Sequence, residues 1–418
     1  MSASVPSRSS GNESNSLEPL RILIAADVPP DPNAGASGTV FQMNAALRRI
    51  GHDVEEIWAP ELGRRIRHGN LHYLLELPFA FRSVLRRRLK HQSYDVVEFH
   101  QPHAYLAASD FRRHSRTGIF VNRSHGHEVR VEEVLTPWRQ QLGMPAQRGI
   151  RKLASRCLRV LLDRQWERVA RSADAFHFSC QEDGEYLHRR YGVAPDRIAV
   201  ITQGIPESFA GNPVLPLSAA RRKRLLYVGQ YAFIKAPMIL ATAVSTILDK
   251  HPEMTMTWVC SQSHHAEALN LLSPSIRQRV TFLDWMSQES LQAVLDEHGI
   301  FLFPSFFEGF GKAPLEAMSR GLCVIASNTG GMRDFIQDGV SGRLVPIGQT
   351  ELMVEAAEHL IANPGAADAM SRAARESAVL HRWDRCAADL TACYRRWLAI
   401  KNAHRNVPSM QIEERITD

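Results

Sequence analysis

Short apolar runs punctuate this chain at intervals, and the whole rhythm occurs twice, once on each side of a turn-rich break. A run that is apolar at every position, rather than at alternate ones, suits a strand buried on both faces of a parallel sheet. The run at 21–26 reads so, further strands are read at 54–58, 95–99, 118–121, 175–178 and 198–201, and a second set follows at 224–228, 254–259, 279–283, 300–303, 324–326 and 342–345. Parallel neighbours need a crossover between them, and helical stretches supply it, beginning with one at about 39–49 that Gly51 stops. The break, Gly211-Asn-Pro-Val-Leu-Pro216, reads as a linker. The expected fold class is therefore α/β, with two Rossmann-like doubly wound domains facing a central cleft.

Composition narrows the rest. With 418 residues, 44% hydrophobic and 22% charged, the chain can bury two or more real cores, which excludes a disordered, collagen-like or disulfide-stapled protein. Lys+Arg at 50 against Asp+Glu at 44 leaves a net charge of +6, a mild surplus that suits anionic partners without requiring nucleic acid. The 6 cysteines are scattered with no C-x-x-C pair, so neither a zinc ribbon nor a disulfide framework is expected, and a reducing cytosol is the expected setting. Residues 1–20 are Ser-rich with no apolar h-region and read as a disordered tail, not a secretory signal. No apolar stretch is long enough for a transmembrane helix. The expected division is this tail, an N-terminal domain at 21–212, a C-terminal domain at 219–383, a helix at 384–402 and a tail at 403–418.

The segment richest in chemistry is Phe303-Pro-Ser-Phe-Phe-Glu-Gly-Phe-Gly-Lys-Ala-Pro-Leu-Glu-Ala-Met318. A strand ends, a loop carrying Gly309, Phe310 and Gly311 follows, and Pro314 stands where a first helical turn is expected, just after Lys312. Glycines let backbone approach a ligand, and a helix start offers free N–H groups and a positive dipole end to a diphosphate. Glu308 in the loop and Glu316 in the expected first turn are too negative to hold phosphate; they suit the hydroxyls of a sugar or ribose. Read alone, the pair also fits a solvated loop acid and a helix-dipole complement.

The order of several landmarks resembles family 4 retaining glycosyltransferases of the GT-B fold. Glu308-Gly-Phe-Gly, Pro314-Leu-Glu316-Ala-Met, Gly330-Gly331 and Asp338-Gly-Val-Ser-Gly342 resemble that family's E-x7-E region. Tyr227-Val-Gly229-Gln230 followed by Lys235 is similar to its donor segment, with Gln230 in place of the usual Arg and Ala236 in place of the next glycine. Ser124-His125-Gly-His127-Glu128 is similar to its H-G-x-E segment, and Ala34-Gly35 to its N-terminal glycine loop, where Gly35 and Gly38 would let backbone approach a phosphate or acceptor.

The resemblance implies an N-terminal acceptor side, a C-terminal nucleotide-sugar-binding domain and a last helix that packs back on the first domain. It implies that Lys235, Gln230 and the helix start hold the diphosphate, that Glu316 takes ribose hydroxyls, that Glu308 lies near the donor sugar as a positioning and electrostatic residue, and that His125 lies beside that sugar. A structural or surface His125, an ordinary turn at Gly35 and a solvated surface Lys235 remain open alternatives, and Trp285 is either in a nucleobase pocket or in a core. No cofactor is expected, the nucleotide-diphosphate sugar being a co-substrate, and no metal either. The chain has no D-x-D pair, and His125 and His127 lack a third ligand.

The implied reaction retains anomeric configuration and passes a sugar to a glycan or lipid-linked acceptor, as in polysaccharide or glycolipid assembly. A nucleotide-sugar epimerase of the same architecture and a non-catalytic binding module are the alternatives. Residues 71–90 and 151–171 combine apolar and basic side chains and read either as helices with a solvated basic face or as a surface for an anionic membrane. A cytoplasmic protein, peripheral at the inner membrane face, is the corresponding expectation.

Overall fold

The computed structural model describes residues 18–32, 35–115, 117–145 and 148–406. Its first domain holds strands β1 (Arg21–Ala25), β2 (Asp53–Ile57), β3 (Val96–His100), β4 (Ile119–Arg123), β5 (Ala175–Phe178) and β6 (Ile198–Val200). Its second holds β7 (Arg224–Val228), β8 (Thr255–Val259), β9 (Val280–Leu283), β10 (Ile300–Phe303), β11 (Cys323–Ser327) and β12 (Arg343–Val345). The two sheets run β2-β1-β3-β4-β5-β6 and β12-β11-β10-β7-β8-β9, parallel throughout. The fold is thus the doubly wound pair expected from the apolar runs.

Alternation within β1 shows why those runs are apolar at every position. Ile22 and Ile24 pack on one face of the sheet with Val96 and Val121, while Leu23 and Ala25 pack on the other with Val97, Phe99 and Phe120. Both faces are covered by crossover helices, so no position of the strand can be polar without a buried partner.

The last helix, Trp383–Asn406, closes the first of these faces. Trp383, Cys386, Ala387, Leu390, Tyr394 and Trp397 join the cluster of Ile22, Ile24, Val40 and Leu47. A backbone bridge from Ile205 to Arg382 marks where the chain returns to the first domain. Gly204 allows it: a Cβ there would lie 2.5 Å from the Trp383 backbone nitrogen. The helix runs to Asn406, past the expected end at 402, and residues 407–418 and 1–17 lie outside the described residues.

The helix after β1 also differs from expectation. It begins at Gly35, not Thr39, so Gly35 and Gly38 lie in its first turn and not in a loop. The close backbone approach there belongs to Gly38, whose Cβ would meet the Pro32 carbonyl oxygen at 2.6 Å, whereas a Cβ on Gly35 meets nothing. Weak intrinsic helix preference of glycine hides such a start in the sequence. Ala34 lies outside the described residues. Between the domains, the guanidinium of buried Arg320 binds Asp296 and the carbonyls of Phe209, Asn212 and Pro213, which fixes the linker to the second domain.

Candidate active site

In each sheet the strand order reverses next to the first strand of its domain, between β1 and β3 and between β7 and β10. Loops at the carboxyl ends of strands flanking such a switch point diverge and leave a crevice. In the second domain the chemistry-bearing residues follow β7 and β10, which flank its switch point, and in the first domain His125 follows β4, one strand beyond β3.

The loop after β10 is anchored by Phe306, Phe307 and Phe310, all nearly inaccessible to solvent. Phe306 stacks on Trp138 of the first domain at 4.9 Å, and Phe307 lies under the Arg130 guanidinium at 4.7 Å. The glycines of this loop have distinct roles. A Cβ on Gly309 would strike the His125 carbonyl, and one on Gly126 would crowd Phe307, so glycine on both sides lets the two lobes touch. Gly311, at φ 98°, turns the chain into the Lys312–Ser319 helix, where a Cβ would lie 2.8 Å from Met332.

With the helix starting at Lys312 rather than near Pro314, Glu316 falls in its second turn, not its first. Its carboxyl is buried and its pKa is raised, burial outweighing the Lys312 ammonium 3.4 Å away. Glu308 is also buried, and one carboxylate oxygen lies 2.5 Å from the Lys235 ammonium. Lys235 lies over the Phe303 ring at 5.3 Å. The structure therefore pairs Lys235, after β7, with Glu308, after β10, and pairs Lys312 with Glu316 on the helix that follows.

Gln230 follows β7, and among the described residues its exposed side chain has no hydrogen-bond partner; only its carbonyl is engaged, accepting from the Tyr227 hydroxyl at 3.3 Å. Ala236 takes a left-handed backbone, φ 51° and ψ 55°, at the position where the resemblance expects glycine. Gly35 is exposed at the start of its helix, with open space where a Cβ would stand. Trp285 is 50% exposed, which excludes the core alternative; the buried tryptophan of this domain is Trp258.

His125 follows β4, and its Nε2 lies 2.9 Å from His100 Nδ1. Burial, then the nearby Arg123 charge, lowers its pKa to about 3, so the imidazole is neutral at ordinary pH. Beneath it lies a polar cluster that the sequence reading missed. Fully buried Glu98 accepts from the Tyr394 hydroxyl at 2.6 Å and pairs with His177 at 3.2 Å and Arg123 at 3.4 Å. Burial alone would raise the Glu98 pKa; His177 and Arg123 outweigh it and hold the carboxyl well below its usual range. The available signal was an ionisable residue inside each of three adjacent apolar strands, β3, β4 and β5.

The lobes meet through more than the glycines. Glu182 accepts from the Gly330 backbone N–H at 2.8 Å and pairs with Arg333 at 3.2 Å and with Arg130. Among the described residues no cluster of His, Cys, Asp and Glu has the make-up of a metal site. No helix there is long and apolar enough to cross a membrane.

Residues 34–209 match the family model described as Glycosyltransferase Family 4, and residues 222–363 that described as Glycosyl transferases group 1. The chain is 29% identical over 244 residues to a D-inositol 3-phosphate glycosyltransferase of Rhodococcus jostii strain RHA1, covering 55% of this chain and 54% of that one. It is 28% identical over 270 residues to that of Streptomyces coelicolor, covering 58% and 59%. The match thus spans little more than half the length of these curated relatives. Solved structures of the same fold include sucrose-phosphate synthase of Thermosynechococcus elongatus, with a TM-score of 0.70 and 20% identity over 91% of this chain and 100% of that one. Anabaena HepE in complex with UDP and glucose gives a TM-score of 0.62 and 16% identity over 89% and 98%.

Proposed function

The chain belongs to glycosyltransferase family 4, and from that premise we propose that it moves a sugar, with retention of anomeric configuration and without a divalent cation, from a nucleoside-diphosphate sugar to a hydroxyl of a glycan or lipid-linked acceptor. The observation that carries this reading is the Lys235–Glu308 contact of 2.5 Å beside the start of the Lys312–Ser319 helix. Relatives named D-inositol 3-phosphate glycosyltransferase and a neighbour holding UDP and glucose support it at the level of class.

Breaking a sugar–phosphate bond puts negative charge on the departing diphosphate, and a fixed cation with aimed N–H groups stabilises that charge most at the transition state. Lys235 is that cation. Arriving phosphate oxygens compete with Glu308 for its ammonium. The helix start after Gly311 adds N–H groups and the free Gln230 amide adds a donor. Glu316, buried and biased toward its protonated form, exchanges hydrogen bonds with ribose hydroxyls. Glu308 offers negative charge to the oxocarbenium-like sugar, and the departing phosphate takes the acceptor's proton on the same face, which preserves configuration. Neutral His125 accepts a hydrogen bond from a sugar hydroxyl without adding positive charge beside the cationic sugar.

The test incubates the purified chain with a panel of nucleotide sugars, with and without acceptors, and follows nucleotide release and the anomer formed. Acceptor-dependent release of one nucleoside diphosphate and a retained anomer are expected. Interconversion of two nucleotide sugars without acceptor, or donor binding with no turnover in any mixture, overturns the reading.

A further inference from the structure

A cavity of about 910 Å³ lies in the first domain, between the helices Glu128–Gln141 and Gly149–Ser172 and the His72–Glu76 turn. Its wall includes Glu128, the first residue of its helix and three positions on in sequence from His125 at the seam. Much of the wall is hydrocarbon: Leu74, Val129, Leu158 and Leu162 face it, and Tyr73 is stacked against His103 at 5.5 Å.

Its charges do not balance. Arg139, Lys152 and Arg159 line it, against Glu128 and Glu132. Glu132 serves both arginines, at 2.8 Å and 3.8 Å. Burial pushes the Glu128 carboxyl up to about 8, so it is protonated and neutral at pH 7. One of its oxygens accepts from the Trp166 indole at 2.9 Å, and the other is buried without a partner. Among the described residues Lys152 makes no ion pair. Three cations therefore face one ionised acid across apolar walls.

We propose that this cavity binds the acceptor and that the acceptor is an anionic amphiphile, a phosphate or diphosphate carried on a hydrocarbon chain. The word acceptor rests on the transferase reading above; the ligand chemistry rests on the cavity alone. A free sugar would leave the leucines without a counterpart, and a neutral lipid would leave the surplus cations uncompensated. A chain-borne phosphate satisfies both, and protonated Glu128 can donate to it without repulsion.

The opposite face of the Gly149–Ser172 helix fits delivery from a lipid surface. Lys152, Ser155, Arg159 and Leu162 recur at helical spacing toward the cavity. Ile150, 86% exposed, and Leu153, 63% exposed, turn outward with Val160, beside exposed Arg156 and Arg164. Apolar side chains flanked by cations on one helix face suit anionic headgroups.

The experiment titrates the full chain with dodecyl phosphate below its aggregation concentration, with inorganic phosphate and a neutral dodecyl glycoside as competitors. Nucleoside-diphosphate binding checks that each variant is folded, and nucleotide release from donor sugars is read on the same preparation. Saturable binding of dodecyl phosphate is expected, unaffected by either competitor. Reversing the exposed charge in Lys152→Glu should weaken it by about tenfold or more, and Leu158→Trp should weaken it by filling the cavity. Absence of saturable binding, indifference to both substitutions, or equal competition by inorganic phosphate overturns the proposal. Donor turnover without amphiphile binding sinks this proposal and leaves the transferase reading standing; amphiphile binding without donor turnover does the reverse.

Discussion

Lys235 and Glu308 depend on each other. Both are largely withdrawn from solvent, so removing one leaves the other as an uncompensated charge in a low-dielectric seam. Lys235→Ala is expected to lower kcat/KM for the donor by about 10²–10³, the range seen when one transition-state donor is lost. Steady-state kinetics with the preferred donor checks it, and an unchanged kcat/KM would remove Lys235 from the diphosphate site. Glu128 makes a separate prediction about stability. Its pKa is raised to about 8 in the fold, above an unfolded value of about 4.3, so between those limits the folded state holds the extra proton. Stability therefore falls as pH rises through that window. Glu128→Gln keeps an oxygen for the Trp166 indole and has nothing to ionise. Relative to the parent chain it should gain stability from pH 5 to pH 8, by up to a few kcal/mol. Buried neutral histidines such as His125 and His103 shift the acid side of both curves alike and cancel in the difference. Parallel urea titrations across pH check it; curves that keep a constant separation would mean the carboxyl stays ionised.

At the scale of elements, the strands were legible and their polar contents were not. The central strands announce themselves because burial on both faces leaves no room for alternation, whereas edge strands such as β2 carry acids and partly exposed positions. Helix starts were less legible, since Gly35, Gly38 and Gly311 carry little helical preference, and close approach to Pro32 and to Met332 fixes Gly38 and Gly311 in space. Of the site, the β10 loop and its acids could be read from local order. The cluster under His125 could not, because Glu98, Arg123, His177 and Tyr394 meet only through strand register and the return of a helix 296 positions away. That helix is a lever on the site. Tyr394→Phe removes a donor from buried, ionised Glu98 and should cost about 1–3 kcal/mol, read as an earlier denaturation midpoint. If Tyr394 only fills space, the midpoint will not move.

The lobes are held together by an apolar cluster of Leu135 and Trp138 with Ala236 and Phe306, and beside it by backbone meeting backbone. At the Gly309–His125 contact neither atom belongs to a flexible side chain, so a methyl group at position 309 cannot be absorbed by a rotamer change. The lobes must instead separate or tilt. Each has its own sheet and its own hydrophobic cluster, so neither loses its core when they do. What is lost is alignment: His125 belongs to one lobe, Glu308 and Lys235 to the other, and a displacement of about 1 Å is enough to lower turnover by about a hundredfold. The contacts of Glu182 with Gly330 and Arg333 resist that opening only in part, because the arginine pair is partly solvent-exposed and screened. Gly309→Ala is therefore expected to keep a near-parental denaturation midpoint and to keep nucleoside-diphosphate binding, since the donor-side groups all lie on the second lobe. Its turnover should fall about a hundredfold, and small-angle scattering should give a larger radius of gyration than the parent chain. A variant that unfolds outright would instead make Gly309 a folding residue of its own lobe, and one with parental turnover would show that catalysis does not need the lobes in this contact.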